Sequence, residues 1–596
     1  MSHVSSVPRR RLLALLVSAW CAVVALPGYA ADVAAPAAPA TTAALPTAPS
    51  PNATINLIRL MVERGLIPAA DAEKLIAQAE AEAVQARTAL AAASAQPAAA
   101  APVADDTVRV TYIPGNVRRQ MVEEVRQDVM SQAVDENWAA PGTFPEWVSR
   151  WKFNGDIRVR YEGITYPSGN LTGLNSNFWN YNAINTSSTP YDVTGAANPP
   201  INNVDQDRDR TRFRVRFGAE IDLEEGFSSG VRLATGESNS PVSQNQSFGA
   251  AGSGQGGNFS KYSIWLDRGF LKYENSVSEV NWSISLGRFD NPFFSTTMLW
   301  ANDLGFDGIA FQGRVKPSEN RTFRPFLTVG MFPVFNTDLN FASTNPNKFK
   351  STDKWLTAAQ IGSEWTINKD FTAKAAVAIY DFQNVEGQLS DPYTPQLASD
   401  AGSTDSTRPT FAQKGNTYMA LRNITPNASN GFGTTNQYQY FGLATPFRDV
   451  VVTGRLDYNH FDPIQISLIG EAVQNVAFSR GDVGAVAVNN LRASGNFGGG
   501  DFGYLVNFQV GHAVLDKRWD WNVAVGYRYV ESDAVVDGFT DSDFGGGGTN
   551  LKGYTLGGNL ALSRRVWVGL KLMAADSITG PTYKNDILQL DFNGRF

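Results

Sequence analysis

Five arginines at alternate positions are the first residues whose spacing suggests chemistry. Arg158 and Arg160 sit in Phe153-Asn-Gly-Asp-Ile-Arg-Val-Arg-Tyr161, and Arg212, Arg214 and Arg216 in the stretch 211–223. Alternate side chains of an extended chain share a face, so each stretch carries its guanidiniums in a row. Arg keeps its charge at any working pH, and two such rows side by side form a basic patch that favours anions. Glu220 falls in phase with the Arg212 row. The alternative is pairing with Asp156, Glu162, Glu220 and Asp222, which gives a satisfied wall without selectivity.

Other chemistries are poorly supplied. Three His, one of them His3 near the N-terminus, leave little room for a His-centred triad or a multi-His metal site. The single Cys, Cys21, removes disulfides, thiol catalysis and zinc ribbons. The Gly run 545–548 precedes Thr549-Asn550 and lacks the Gly-Lys-Ser/Thr of a phosphate loop, so a flexible outer loop is expected there. Asp537, Asp541 and Asp543 could hold a cation, but their spacing matches no calcium loop. No catalytic residue, metal or cofactor is expected. Acidic residues outnumber basic ones by 57 to 50, which argues against a nucleic-acid partner.

The elements that carry the arginines belong to a chain of 596 residues that is short of charge, 18% against the ~25% of soluble proteins. Arg9, Arg10 and Arg11 precede an uncharged run from Leu12 to Leu26 and then Pro27-Gly28-Tyr29-Ala30. That pattern predicts a cleaved export signal over 1–30, the run being short of the ~20 residues a spanning helix needs. Losing three Arg takes the formal charge from −7 to −10. An Ala/Pro linker follows over 31–53, a helical segment over 54–92 and a second linker over 93–104. A short strand plus a helix are expected over 105–150, in the periplasm. In that last helix Val122, Val125, Val129 and Ala133 repeat at coiled-coil-like spacing; packing on the same chain is the other reading.

From Phe153 the apolar period changes to two. About sixteen alternating segments run from 153–161 to 586–596, and the intervals between them alternate short and long without exception. The long intervals range from about a dozen residues to the 67 of 383–449. Short turns at one end and long loops at the other mark a transmembrane β-barrel, whereas a sandwich has no reason to sort its loops by parity. Aromatics fall in two rows: Tyr262, Trp355, Tyr504, Tyr529 and Tyr554 beside long loops, and Tyr273, Trp282, Trp365, Phe371, Tyr458 and Trp521 beside short turns. Trp521 to Tyr529 spans roughly 26 Å at ~3.3 Å per residue, matching the ~25 Å apolar band. Val525 is expected outward at mid-membrane, with Asn522 and Arg528 facing water and tolerant of substitution. Leu588, Leu590, Phe592 and Phe596 alternate with polar residues at the chain end, resembling the terminal strand that barrel-assembly machinery reads. The expected fold class is thus an all-β transmembrane antiparallel barrel over 151–596, with an N-terminal α-helical, coiled-coil-like region in the periplasm.

Four stretches, Leu-Ile-Arg-Leu-Met-Val-Glu-Arg-Gly-Leu-Ile (57–67), Gly-Asp-Ile-Arg-Val-Arg-Tyr-Glu (155–162), Leu-Gly-Arg-Phe-Asp-Asn-Pro-Phe-Phe (286–294) and Asp-Leu-Gly-Phe-Asp-Gly (303–308), resemble the putative porin family of Gram-negative outer membranes. The resemblance covers nearly the whole mature chain. It implies an outer-membrane barrel with a periplasmic helical region, and implies no catalytic residue or substrate. In porins the third long loop often folds inward; by count this is 289–306, with Asn291, Pro292, Phe293 and Asp303 as constriction candidates and an ordinary surface loop as the alternative. Arg158, Arg160, Arg212, Arg214, Arg216 and Glu220 are then the pore-lining candidates for selectivity.

Two functions stand beside each other at this stage. One is passive diffusion of small hydrophilic solutes or ions through a water-filled channel. The other is a structural anchor whose N-terminal helices contact peptidoglycan or partner subunits. The remaining expected partners are outer-membrane lipid, the assembly machinery through Phe596, and two further copies in a homotrimer.

Overall fold

The computed structural model describes residues 146–596 apart from 250–256, 318–321 and 347, together with Lys74, Ala77, Ala81, Val84, Glu123, Val125, Gln127 and Val129, which are helical and exposed. The expected signal, both linkers, the short strand expected within 105–150 and the rest of the two helical segments lie outside the described residues.

Sixteen strands close into one antiparallel barrel. In chain order they are β1 Trp151–Thr165, β2 Arg208–Glu224, β3 Phe227–Thr235, β4 Ile264–Val277, β5 Val280–Phe289, β6 Phe306–Val315, β7 Phe323–Phe335 and β8 Lys354–Thr366. Then come β9 Phe371–Gln383, β10 Phe447–Phe461, β11 Ile464–Asn475, β12 Phe502–His512, β13 Trp521–Val530, β14 Leu551–Ala561, β15 Val566–Ser577 and β16 Lys584–Arg595. Each strand pairs with its neighbours in sequence, and β16 returns to β1 from Asp156 opposite Arg595 to Thr165 opposite Asp586. Closure leaves no sheet edge, the condition for strands to cross a bilayer. The Phe596 amide donates to the Gly155 carbonyl and the Gly155 amide to Phe596, both at 3.0 Å, so the last residue completes the seam.

The period-two pattern sorts the faces. On β12 and β13 the outward Val506, Phe508, Val523 and Val525 are 43–49% exposed, while Asn507, Gln509 and Asn522 point inward between them. Apolar side chains left this bare fit a hydrocarbon solvent rather than water. The aromatic rows form as expected. Phe227, Tyr273 and Trp282 meet ring to ring at 4.5 and 5.4 Å, and Phe371 stacks on Tyr458 at 4.5 Å near the short turns. Tyr504, Tyr527, Tyr529 and Tyr554 make contacts of 4.9–6.0 Å near the long loops.

The loop lengths depart from strict parity at one place. The last long-side loop, 578–583, is shorter than the short-side turn 513–520, because β15 continues to Ser577 and β16 starts at Lys584. Three of the short turns have only two residues; in one, 225–226, Gly226 has φ +87°, and a Cβ there would lie 2.3 Å from the Glu274 carbonyl oxygen.

The long loops fold over the barrel rather than away from it. Tyr380, Tyr418, Leu421 and Phe447 are at most 1% exposed where loops 384–446 and 531–550 meet the strands. Polar groups there are satisfied internally: the Asn416 amide donates to the Ser532 and Val535 carbonyls at 2.6 and 2.8 Å, and Asp533 accepts from Thr417 and Ser532. The Gly run 545–548 is part of this packing, correcting the expectation of a flexible loop. All four glycines have φ between +62° and +90°, which turns the Gly545 and Gly547 carbonyls onto the buried Lys414 ammonium at 2.8 and 2.6 Å.

Candidate functional site

Strands β1 and β2 bring the two arginine rows together on the inner wall. Arg158 stands opposite Arg214, Arg160 opposite Arg212, and Asp156 opposite Arg216. Like charges directly opposite each other repel, so carboxylates must intervene. Asp156 takes Arg214 at 2.8 Å and Arg216 at 2.5 Å. Arg160 is held by Asp591 through Nε and Nη2 at 2.7 and 2.8 Å, a two-point grip, and by Asp543 at 2.9 Å. Glu162 takes Arg210 and lies 3.8 Å from Arg212. Arg158 donates to the amide oxygen of Asn245. Burial alone would raise the Asp543 carboxyl in its loop, yet the Arg160 charge holds it well below the usual carboxylate range.

The basic patch is therefore assembled where the sequence placed it, but it is an ion-paired network. Two of the expected partners, Asp156 and Glu162, belong to it. Asp303, Asp543 and Asp591 complete it from segments that sequence spacing could not connect. Glu220 stands further toward the short turns, opposite Lys152 and exposed, outside the cluster. The three loop acids serve separate partners, Asp537 beside Tyr418, Asp541 beside Arg528 and Asp543 on Arg160. That division accounts for them without a cation. Among the described residues no group of three His, Cys, Asp or Glu side chains could hold a metal ion.

The loop 290–305 crosses the lumen. At its start Asn291 donates to Ser295, and the Pro292 carbonyl accepts from Gln312 on β6 at 2.8 Å. Phe293 is buried edge-on against Tyr380 at 5.2 Å, within an aromatic cluster with Phe306, Phe332 and Trp300. The Phe294 amide and carbonyl both meet the Gln360 side chain on β8 at 2.8 Å. Thr296 gives its amide and hydroxyl to Glu471 on β11, and Thr297 accepts from Arg528 on β13. On the return, Asp303 reaches Arg214 at 3.1 Å and Arg216 at 3.8 Å. All four constriction candidates thus lie on an inward-folded segment.

Arg528 corrects an expectation. It is 6% exposed, 3.6 Å from Asp541, over the Phe544 ring and bonded to Thr297, so it anchors the loop tip rather than facing open water. A second anchor was invisible to alternation. The register of β3 and β4 shifts between Arg232 and Leu233, a bulge that turns the consecutive residues Asp267 and Arg268 both inward. Arg268 then binds Asp267 at 2.7 Å, Asp290 at 2.8 Å and the Leu304 carbonyl at 2.9 Å, clamping both roots of the loop.

Two cavities flank the loop. One of 870 Å3 lies among β4–β9 and residues 291–294, with Lys272, Arg314 and Lys374 on its wall. The other, of 430 Å3, lies among β11–β16 and residues 295–297. The lumen is narrowed but not filled, and its walls offer charges and hydrogen-bonding groups to anything passing.

Comparison with known proteins places this architecture. The family described as Putative porin matches residues 51–596. Among solved structures, Pseudomonas putida OprB at high pH aligns over 76% of this chain and 96% of its own, at 12% identity and a TM-score of 0.38. The outer membrane channel DcaP of Acinetobacter baumannii aligns over 75% and 97%, at 13% identity and 0.33. Salmonella typhi OmpF, in complex with daunomycin, aligns over 75% and 97%, at 10% identity and 0.34. No curated protein matches the chain. With a closed sixteen-strand barrel and a family match over nearly its whole length, the chain belongs to the Putative porin family.

Proposed function

We propose that the protein is a passive channel for small hydrophilic solutes and ions, narrowed by loop 290–305. The observation that carries this reading is the loop itself, tied to inward side chains of β2, β6, β8, β11 and β13 with open space on both sides. A barrel serving only as an anchor has no need to hold one segment across its lumen by charged bonds. Arg158, Arg160, Arg212, Arg214 and Arg216 form the basic wall of the narrow zone, and Asp303 on the loop is its acidic counterpart. Solutes passing between them meet both signs of charge. The N-terminal helices belong to the periplasm, and the outward, exposed Phe596 is the residue offered to the assembly machinery. Three copies associate, as expected for barrels of this strand number; mass measurement in mild detergent then gives three times the mature chain, and a sharp monomer at all concentrations removes that part.

The test is conductance of the purified full-length protein in planar bilayers. Stepwise currents support a channel. A folded, inserted protein that stays silent supports the anchor.

A further inference from the structure

Within the channel reading, on which this inference rests, the 430 Å3 cavity has a wall unlike the rest of the lumen. Such a volume is in the ~300–1,000 Å3 range of small-molecule sites. Its wall is built of amides laid against glycines. Asn507 on β12 stands opposite Gly526 on β13, and Asn559 on β14 stands opposite Gly569 on β15. A Cβ on Gly526 would come within 3.0 Å of the Asn507 oxygen, and one on Gly569 within 2.7 Å of the Asn559 oxygen. The glycines therefore give the amides room to lie along the wall and keep the cavity open above them. Asn559 donates to Asn522 at 2.8 Å, which fixes that pair, while the side chains of Asn507 and Gln509 make no hydrogen bond among the described residues.

Charge on this wall is nearly all consumed. Asp591 is taken by Arg160, and Arg528 sits against Asp541. Lys571, in the same cavity, has no carboxylate in contact among the described residues; its charge reaches Asp543, already held by Arg160, only from beyond contact distance. One ammonium without a carboxylate in contact, beside a row of neutral donors and acceptors, matches a ligand with one acid group and several hydroxyls. We propose that this cavity is a binding subsite for small polyhydroxylated monocarboxylates. Lys571 takes the carboxylate, and Asn507 and Gln509 read the hydroxyls with the tip threonines of loop 290–305 above them. An acid lacking hydroxyls leaves the amides to water, and a neutral polyol leaves Lys571 to water, so each binds less well.

Saturation-transfer NMR on the full-length protein in detergent micelles tests this with three probes: gluconate, sorbitol and acetate. Gluconate should bind about tenfold more tightly than either of the others, the effect of roughly one charge-assisted hydrogen bond. Lys571→Gln should remove its advantage over sorbitol, and Asn507→Leu with Gln509→Leu its advantage over acetate. Gluconate binding no better than acetate, or absent, overturns the subsite even if the protein conducts. Gluconate binding by a protein that never conducts overturns the channel and leaves the subsite standing. Should a variant fail to fold, the ranking of the three probes on the unaltered protein still decides.

Discussion

Glu471 is the residue on which the position of the loop tip depends most. Its carboxylate accepts from the Thr296 amide at 2.8 Å, the Thr296 hydroxyl at 2.5 Å and the Thr453 hydroxyl at 2.9 Å. Two of these three bonds hold the loop, and the side chain is buried with 3% exposure. Glu471→Ala removes both and leaves Thr296 to find water. A bond to a charged group is worth ~1.5–3 kcal/mol, and two bonds sharing one carboxylate are not additive, so about 3 kcal/mol is a fair total. That shifts the balance between docked and released tip roughly 140-fold toward release. The barrel itself should survive, since the backbone ladder of β11 with β10 and β12 does not involve the side chain. Single-channel recording should then give a larger mean conductance and more current noise than the unaltered protein. A folded variant with unchanged conductance and noise would refute the reasoning: either Glu471 does not hold the tip or the tip does not lie in the permeation path.

Three other outcomes follow from the same geometry. Changing Arg212, Arg214 and Arg216 together to Gln deprives Asp156 and Asp303 of their cations and Glu162 of one of its three, so the zero-current potential in a salt gradient should move toward cation preference, with the shift shrinking at ~1 M salt where the Debye length is ~3 Å; no shift at low salt would place this wall away from the path. Val525→Arg, outward and 49% exposed midway between Trp521 and Tyr529, should cost roughly 2–4 kcal/mol in unfolding from lipid, and equal stability would mean the facing of β13 is reversed. Burial pushes the Asp537 carboxyl up to about 7, above its unfolded value of ~3.9, so the folded loops hold a proton that the unfolded chain releases; stability from this group is complete below ~pH 4 and is lost as pH rises through about 7. Hydrogen exchange of 531–540, corrected for intrinsic rates, should therefore increase across that window, and Asp537→Asn should reduce the dependence to the part set by Asp533, which burial pushes up to about 6.

The fold was legible because period-two alternation is a local signal, and the strands carry it except where a bulge interrupts it. Closure demanded nothing more than antiparallel pairing of neighbours. The site was legible only as far as single strands reach. Arg158 to Arg216 share faces by alternation, so their assembly on one wall could be read, and Asp156 and Glu162 lie close enough in sequence to be named as partners. Asp543 and Asp591 come from segments almost 400 residues or more away, joined to Arg160 only by barrel closure. Arg528 looked like one more water-facing residue because nothing local says that a distant loop will lie on it. Asp267 and Arg268 were missed for a different reason: a bulge breaks the very alternation that located everything else. The Gly run 545–548 suggested mobility by composition, and its burial follows from Lys414, in another loop, needing carbonyls.

The claim on which the account turns is that residues 295–297 reach the wall at β11 inside the membrane-inserted barrel. Cys21 is the only cysteine of the chain and precedes the barrel strands in sequence, so introduced thiols can be told from it by peptide mass. With Ser295→Cys and Ile469→Cys, which line the same cavity and leave Thr296 and Glu471 in place, in one protein reconstituted in lipid, a short bifunctional thiosulfonate should join the two positions, and peptides 290–305 and 464–475 should be recovered linked in the mass spectrum. Recovery of both peptides singly modified and never linked would contradict the account.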